Sequence, residues 1–230
     1  MTNYVFTPPA VPSVAVEATT ARFPVHRIYC VGRNYAEHAR EMGGSERDRP
    51  FFFAKPADAL VEDTAEVPVP PRTADFHHEI ELVVALARGG RNIGADRALE
   101  WVFGYAVGND FTRRDLQRAA KAQGQPWETS KAFDHSAGVG RLRPADRGHL
   151  SRGHIWLKVN GATRQSADIA DMTWQVPEII AELSTFFDLA QGDLIFTGTP
   201  AGIGALRAGD VVEGGIEGLS SISHRIVASR

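Results

Sequence analysis

The sequence predicts a strand-dominated α+β fold, a mixed sheet or roll with a few helices packed outside it. Three observations lead there. Short apolar runs bounded by Gly, Pro, Asn and Asp recur along the chain, which is the pattern of strands and turns. Helical spacing appears in only a few stretches. No repeat or break in composition divides the 230 residues after about residue 25, so one domain with an extension can bury a sizeable core.

The elements follow in order. Residues 1–24, rich in Pro, Ala, Val and Thr, read as an extended arm, ordered where it packs on the body or on a partner subunit. Residues 25–230 read as a single domain. "HRIYCVG" (26–32) is a short strand, and "NYAEHAREMG" (34–43) has helical spacing that stops at Gly43–Gly44. "PFFFAKP" (50–56) is a short buried segment, and the Pro-rich "VPVPPRTADF" leads into a strand, "FHHEIELVVAL" (76–86). A helical turn, the strand "GYAVGND" and a helix from Thr112 to about Gln123 come next. "IWLKVNGATRQ" is a hairpin whose Asn160–Gly161 pair suits a type I′ turn. The helix after Pro177 puts Ile179, Ile180, Leu183, Phe186 and Phe187 on one side. "LIFTGTPAGIG" is a strand running into a Gly-rich loop, and two strands close the chain.

Composition narrows the function classes. Lys plus Arg is 25 and Asp plus Glu is 28, a formal charge of −3, so no broad basic field recommends nucleic acid. Cys30 is the single cysteine, which rules out an internal disulfide and fits a reducing, cytoplasmic setting. The N-terminus lacks the basic and continuous apolar regions of a signal peptide, and no apolar run is long enough to cross a bilayer.

Charge stands where a strand should be apolar. In one strand, Glu79 and Glu81 project to one face while Ile80, Leu82 and Val84 take the other. Two like charges at the head of an apolar strand repel, so a cation, a basic side chain or solvent must compensate them. Asp110 ends another apolar strand. Three carboxylates favour a hard cation, Mg²⁺ or Mn²⁺, over zinc. His77 falls on the same face and allows a softer His–carboxylate site, although such a histidine is more often a hydrogen-bonding residue. No HExxH signature is present, and one cysteine excludes a thiolate zinc site.

Other groups suit chemistry beside an anion. His38 and Glu41, three apart in a helical stretch, share a face and make either a surface pair or a general base held by a carboxylate. Lys131 in "SKAFD" stands among small and aromatic residues and can offer charge. Arg114 and Gln117 lie three apart on the helix after Asp110, where Arg114 suits a carboxylate. Thr199 in "TGTP", with Thr197 as the alternative, can donate to a carboxylate together with the glycine-rich loop. Arg33 and Asn34 sit at a strand end where they can line a pocket. "AGIGALRAG" lacks the GK[ST] ending of a P-loop.

"VGRNYAEHAREMG", "PFFFAKP", "HHEIEL", "GYAVGNDFTRRDLQ", "PWETSKAFD", "WLKVNG" and "GDLIFTGTPAGIG" resemble, in that order, the motifs of the fumarylacetoacetate hydrolase superfamily. The match covers about residues 25–228 and looks most like the acylpyruvate hydrolase branch; the N-terminal arm further resembles that of bacterial fumarylpyruvate hydrolases. The resemblance implies a mixed β-roll, a homodimer, and one Mg²⁺ or Mn²⁺ per subunit on Glu79, Glu81 and Asp110. It implies a catalytic domain that cleaves a C–C bond of a 2,4-dioxo acid, such as fumarylpyruvate in gentisate-type aromatic catabolism. His38 and Glu41 would then be the base dyad on a lid, with Lys131 a third catalytic group. Arg33, Arg114, Gln117 and Thr199 would bind substrate. Oxaloacetate decarboxylation and keto-acid isomerisation share the same metal chemistry and stay open. A non-catalytic, metal-stabilised binding protein is the remaining alternative.

Overall fold

The computed structural model of the chain describes residues 2–35 and 49–229. Strands dominate. The first six are β1 (Ser13–Ala15), β2 (Arg22–Pro24), β3 (Ile28–Gly32), β4 (Phe51–Lys55), β5 (Leu60–Glu62) and β6 (Glu66–Pro68). Next come β7 (Phe76–His78), β8 (Ile80–Leu86), β9 (Val102–Asp110), β10 (Thr112–Arg113), β11 (Ala137–Val139) and β12 (Arg143–Pro144). The last six are β13 (His154–Val159), β14 (Ala162–Asp168), β15 (Leu194–Phe196), β16 (Gly204–Ala205), β17 (Val211–Ile216) and β18 (Ile222–Val227). Among the described residues three α-helices interrupt them: α1 (Arg114–Gln123), α2 (Glu128–Lys131) and α3 (Val176–Phe186).

The main sheet has eight strands, in the order β4-β3-β15-β8-β9-β11-β5 with β12 also on β9. It is mixed, because β15 pairs β3 in parallel and β8 in antiparallel fashion. A second sheet runs β14-β13-β17-β18-β6. β8 is buried along its whole length, so both of its faces pack. Ile80, Leu82, Val84 and Leu86 meet Ile155, Leu157, Val212 and the α3 residues Ile179, Ile180 and Leu183 in the larger core. Val83 and Ala85 face the other way, onto a smaller core that includes Val14, Val16 and Phe23 of the N-terminal hairpin. The first residues before that hairpin leave Tyr4, Val5 and Phe6 exposed.

The sheet must curl. β4 is separated from β9 by three strands, yet the Lys55 ammonium of β4 lies 2.7 Å from the Asp110 carboxylate of β9. A flat sheet spaces neighbouring strands by about 5 Å, which would hold these groups far apart. The strand-dominated mixed roll read from the sequence is the observed fold.

Several local expectations change. "FHHEIELVVAL" is two strands that part at Glu79: β7 pairs β10 and β16, while β8 joins the main sheet. Side-chain amides take over the ladder there. Asn109 Oδ1 accepts from Glu79 N–H at 2.9 Å, and Gln165 Oε1 accepts from Ile80 N–H at 3.1 Å. The helix after Asp110 begins at Arg114, because Thr112 and Arg113 pair with His77 and Phe76 as a strand. Gly124, at φ 64°, ends it in the left-handed conformation. Phe186 and Phe187 do not join the buried face of α3. They are 59% and 40% exposed at its end, with their rings against Phe52 and Tyr29. The hairpin turn at Asn160–Gly161 is as expected, with φ values of 52° and 78°. Residues 36–48, with most of the helix expected over 34–43, lie outside the described residues. Among the described residues no helix is long and apolar enough to cross a membrane.

Leu82 has no exposed surface and stands at the centre of the larger core. We expect Leu82→Ala to destabilise the protein by about 2–5 kcal/mol, read as a lower urea midpoint at unchanged slope.

Candidate active site

Strand direction assembles the site. β3 and β15 run parallel, β8 runs against β15, and β9 runs against β8. The ends of β3, β15 and β9 therefore meet the beginning of β8 at one edge of the sheet. Arg33 follows β3, Thr197–Thr199 follow β15, Glu79 immediately precedes β8, Glu81 lies at its start, and Asp110 closes β9. Glu81 shares its face of β8 with Val83 and Ala85, and Asp110 shares its face of β9 with Ala106. Both carboxylates thus rise from the same side of the sheet on neighbouring strands.

Glu79, Glu81 and Asp110 each offer an oxygen, and these oxygens lie within 4.8 Å of one another. All three residues are at least 96% buried. Such a group cannot stand without positive charge, and three cations surround it. Lys131, at the end of α2, sets Nζ 2.7 Å from Glu79 Oε2, 2.6 Å from Asp110 Oδ2 and 2.7 Å from Thr112 Oγ1. Burial alone would lower the Lys131 pKa, but the Asp110 and Glu79 charges outweigh it and raise the pKa above the ordinary lysine value. Lys55 Nζ meets Asp110 Oδ1 and also donates to the Lys131 carbonyl. Arg114 pairs with Glu79 and donates to Gln117 one turn along α1.

Glu81 differs from its two neighbours. Among the described residues no cationic side chain pairs with it; its partner is Gly198 N–H, which donates to Oε2 at 2.7 Å. Burial, followed by the charges of Asp110 and Glu79, pushes the Glu81 pKa well above the ordinary carboxylate range. A divalent cation between the three oxygens would remove that penalty. The donor set is all oxygen, as Mg²⁺ or Mn²⁺ prefers, so the residues present fit such an ion.

One cleft collects Glu79, Glu81, Asp110, Lys131, Arg33, Arg114, Gln117 and Thr199. Phe53 and Trp127, rings 5.9 Å apart, add an apolar wall. Arg33 lies over the Phe51 ring at 5.6 Å, and its buried Nε has no hydrogen-bond partner among the described residues. His38 and Glu41 fall outside the described residues.

Some expectations sort themselves here. His77 stands apart from the carboxylate group, with Nε2 held by Asp75 Oδ1 at 2.8 Å. Thr197 is not the second donor to the cleft, because its hydroxyl donates to Leu82 O at 3.0 Å inside the sheet. Asn34 does not line the cleft either. Its amide donates to Thr197 O and Trp174 O and accepts from Trp174 N–H. It thereby clamps the loop in which Gly198, at φ 97°, turns its N–H toward Glu81. The residue pattern alone did not single out Lys55, Phe53, Asn109, Trp127 or Gln165. Lys55 had a visible signal, a lysine inside the apolar run "FFFAKP".

The family model "Fumarylacetoacetate (FAA) hydrolase C-terminal" matches residues 27–227. A fumarylpyruvate hydrolase of Ralstonia sp is 44% identical over 176 residues, 76% of this chain and 92% of that one. The crystal structure of fumarylpyruvate hydrolase from Pseudomonas aeruginosa in complex with Mn²⁺ and pyruvate is 49% identical, with a TM-score of 0.97 over 99% of this chain and 100% of that one. A mitochondrial oxaloacetate decarboxylase of Dictyostelium discoideum is 38% identical, over 85% of this chain and 90% of that one.

A carboxyl held protonated by the fold stabilises it at low pH and costs stability once pH rises above the unfolded value of 4.5. We therefore expect the metal-free protein to lose stability relative to Glu81→Gln as pH rises from ~5 to ~8. Urea unfolding of both proteins in EDTA checks this. A difference that stays flat with pH would mean that Glu81 is ionised without a cation.

Proposed function

Because the chain belongs to the fumarylacetoacetate hydrolase family, we propose that it hydrolyses the C3–C4 bond of a 2,4-dioxo acid, converting fumarylpyruvate and water to fumarate and pyruvate in aromatic catabolism. The observation that carries this reading is the buried carboxylate trio with Lys131 and Arg114 in one cleft. The likeness to fumarylpyruvate hydrolases supports the acyl group. The homodimer and cytoplasmic location expected from the sequence are carried with the proposal.

Glu79, Glu81 and Asp110 would hold Mg²⁺ or Mn²⁺. Once bound, the ion supplies Lewis acidity to the α-keto acid end of the substrate. This chain's own residues do the rest. Arg114, whose buried Nε has no partner among the described residues, and the Thr199 hydroxyl take the α-carboxylate. Arg33 is left for the far carboxylate of the fumaryl group. Phe53 and Trp127 exclude bulk water from the carbon chain. His38, held by Glu41, takes a proton from the water that attacks C4. As the C3–C4 bond breaks, its electron pair leaves with the pyruvate half as an enolate. Lys131 stabilises that charge through its ammonium at the Glu79–Asp110 junction. Protonation at C3 gives pyruvate.

A second reading has support of its own, since the Dictyostelium relative is an oxaloacetate decarboxylase. Oxaloacetate is also an α-keto dicarboxylate, and its loss of CO₂ needs no water-activating base. Following the enol absorbance of fumarylpyruvate with Mg²⁺, with EDTA as control, separates the two. We expect rapid, EDTA-sensitive loss with fumarate and pyruvate as products. Turnover of oxaloacetate alone would move the assignment to the decarboxylase. On the hydrolase reading, His38→Ala lowers kcat for fumarylpyruvate by about 100-fold or more, while Mn²⁺ affinity measured by calorimetry stays as in the wild type.

A further inference from the structure

Gln165 lies on β14, in the second sheet, and is completely buried. It is outside the residues that line the cleft, yet its amide reaches the cleft's donor. Oε1 accepts from Ile80 N–H at 3.1 Å and faces His78 Nδ1 at 2.9 Å. Nε2 donates to Pro200 O at 2.8 Å and to Thr199 Oγ1 at 2.8 Å. The two backbone partners fix which end is which. A main-chain N–H can only donate and a carbonyl can only accept. Turning the amide over would set its NH₂ against Ile80 N–H and its oxygen against Pro200 O.

That orientation decides the Thr199 proton. Thr199 Oγ1 receives a hydrogen bond from Gln165. A hydroxyl has one proton, and no acceptor among the described residues takes it. Thr199 lines the cleft beside Lys131, Arg114 and the carboxylate trio. We infer that Gln165 is a positioning residue that commits the Thr199 hydroxyl to donate into the cleft, toward the carboxylate of the bound substrate. This rests on the reading above, in which Thr199 meets that carboxylate.

The relay extends one residue further back. With Oε1 as acceptor, His78 must carry its proton on Nδ1. Every donor then points the same way, from His78 through Gln165 to Thr199 and the ligand. Aligned bonds of this kind polarise one another. The same amide ties the start of β8, where Glu79 and Glu81 stand, to the loop that carries Thr199.

A double-mutant cycle tests this, with pyruvate as the probe. Its dissociation constant from Mn²⁺-loaded protein is read by water-proton relaxation for wild type, Thr199→Val, Gln165→Met and the double variant. Metal content and thermal unfolding are measured for each. We expect Thr199→Val to weaken pyruvate about tenfold or more. Gln165→Met should weaken it about threefold to tenfold when Thr199 is present and by less than about twofold when Val replaces it. Equal losses in both backgrounds would make Gln165 a structural residue and overturn the inference. So would an unchanged affinity in Thr199→Val, even with fumarylpyruvate hydrolysis intact in the wild type. Wild type that binds pyruvate with the expected coupling but leaves fumarylpyruvate untouched would sustain the inference and remove the hydrolase assignment instead. The ¹⁵N shifts of His78 in wild-type Mg²⁺-loaded protein give a reading that needs no variant: a protonated Nδ1 supports the relay, and a bare Nδ1 overturns it.

Discussion

Three carboxylates buried within 4.8 Å of one another are the constraint on which the rest of this protein depends. Removing charge from water costs several kcal/mol per ion even after relaxation, and like charges at this range add to it. The chain meets that cost with Lys55, Lys131 and Arg114, each from a different element. The curl of the main sheet is what brings Lys55 across to Asp110. The break at Glu79 is what lets β7 and β8 serve two sheets at the site's edge. Among the described residues Glu81 alone of the three is left to a backbone N–H, and this asymmetry is the physical case for a divalent cation.

Around that centre the polar groups divide their labour. Asn34, Thr197 and Asn109 spend their side chains on backbone atoms and shape the loop and the strand break. Among the described residues Arg33 and Arg114 each keep a buried Nε without a hydrogen-bond partner, and both side chains line the cleft. Gln165 links the two groups, as it satisfies the backbone and sets the direction of a hydroxyl in the cleft.

Much was legible in the sequence because it is local. Alternation of apolar residues marked the strands, and the Asn160–Gly161 pair marked its turn through two left-handed φ values. The charge of Glu79, Glu81 and Asp110 at strand ends was visible as an anomaly that needed a cation. The spacing of Arg114 and Gln117 put them on one face of α1, and both are buried together. Where local rules failed, a distant partner had won. Thr112 and Arg113 are strand because His77 and Phe76 lie opposite. Phe186 and Phe187 are exposed because α3 ends beside them.

The strand-rich class, the acidic centre with its preference for a hard cation, and a set of residues that could serve it are written in the order of residues along the chain. Those follow from residue type and spacing along one strand or one helix. Folding sets which basic groups neutralise the carboxylates, that Thr199 rather than Thr197 faces the cleft, and that Gln165 stands behind it. Lys55 is 55 residues from Asp110, and Gln165 is 34 residues from Thr199. Pairings at that separation are set by how the sheets curl and stack, which no local pattern encodes.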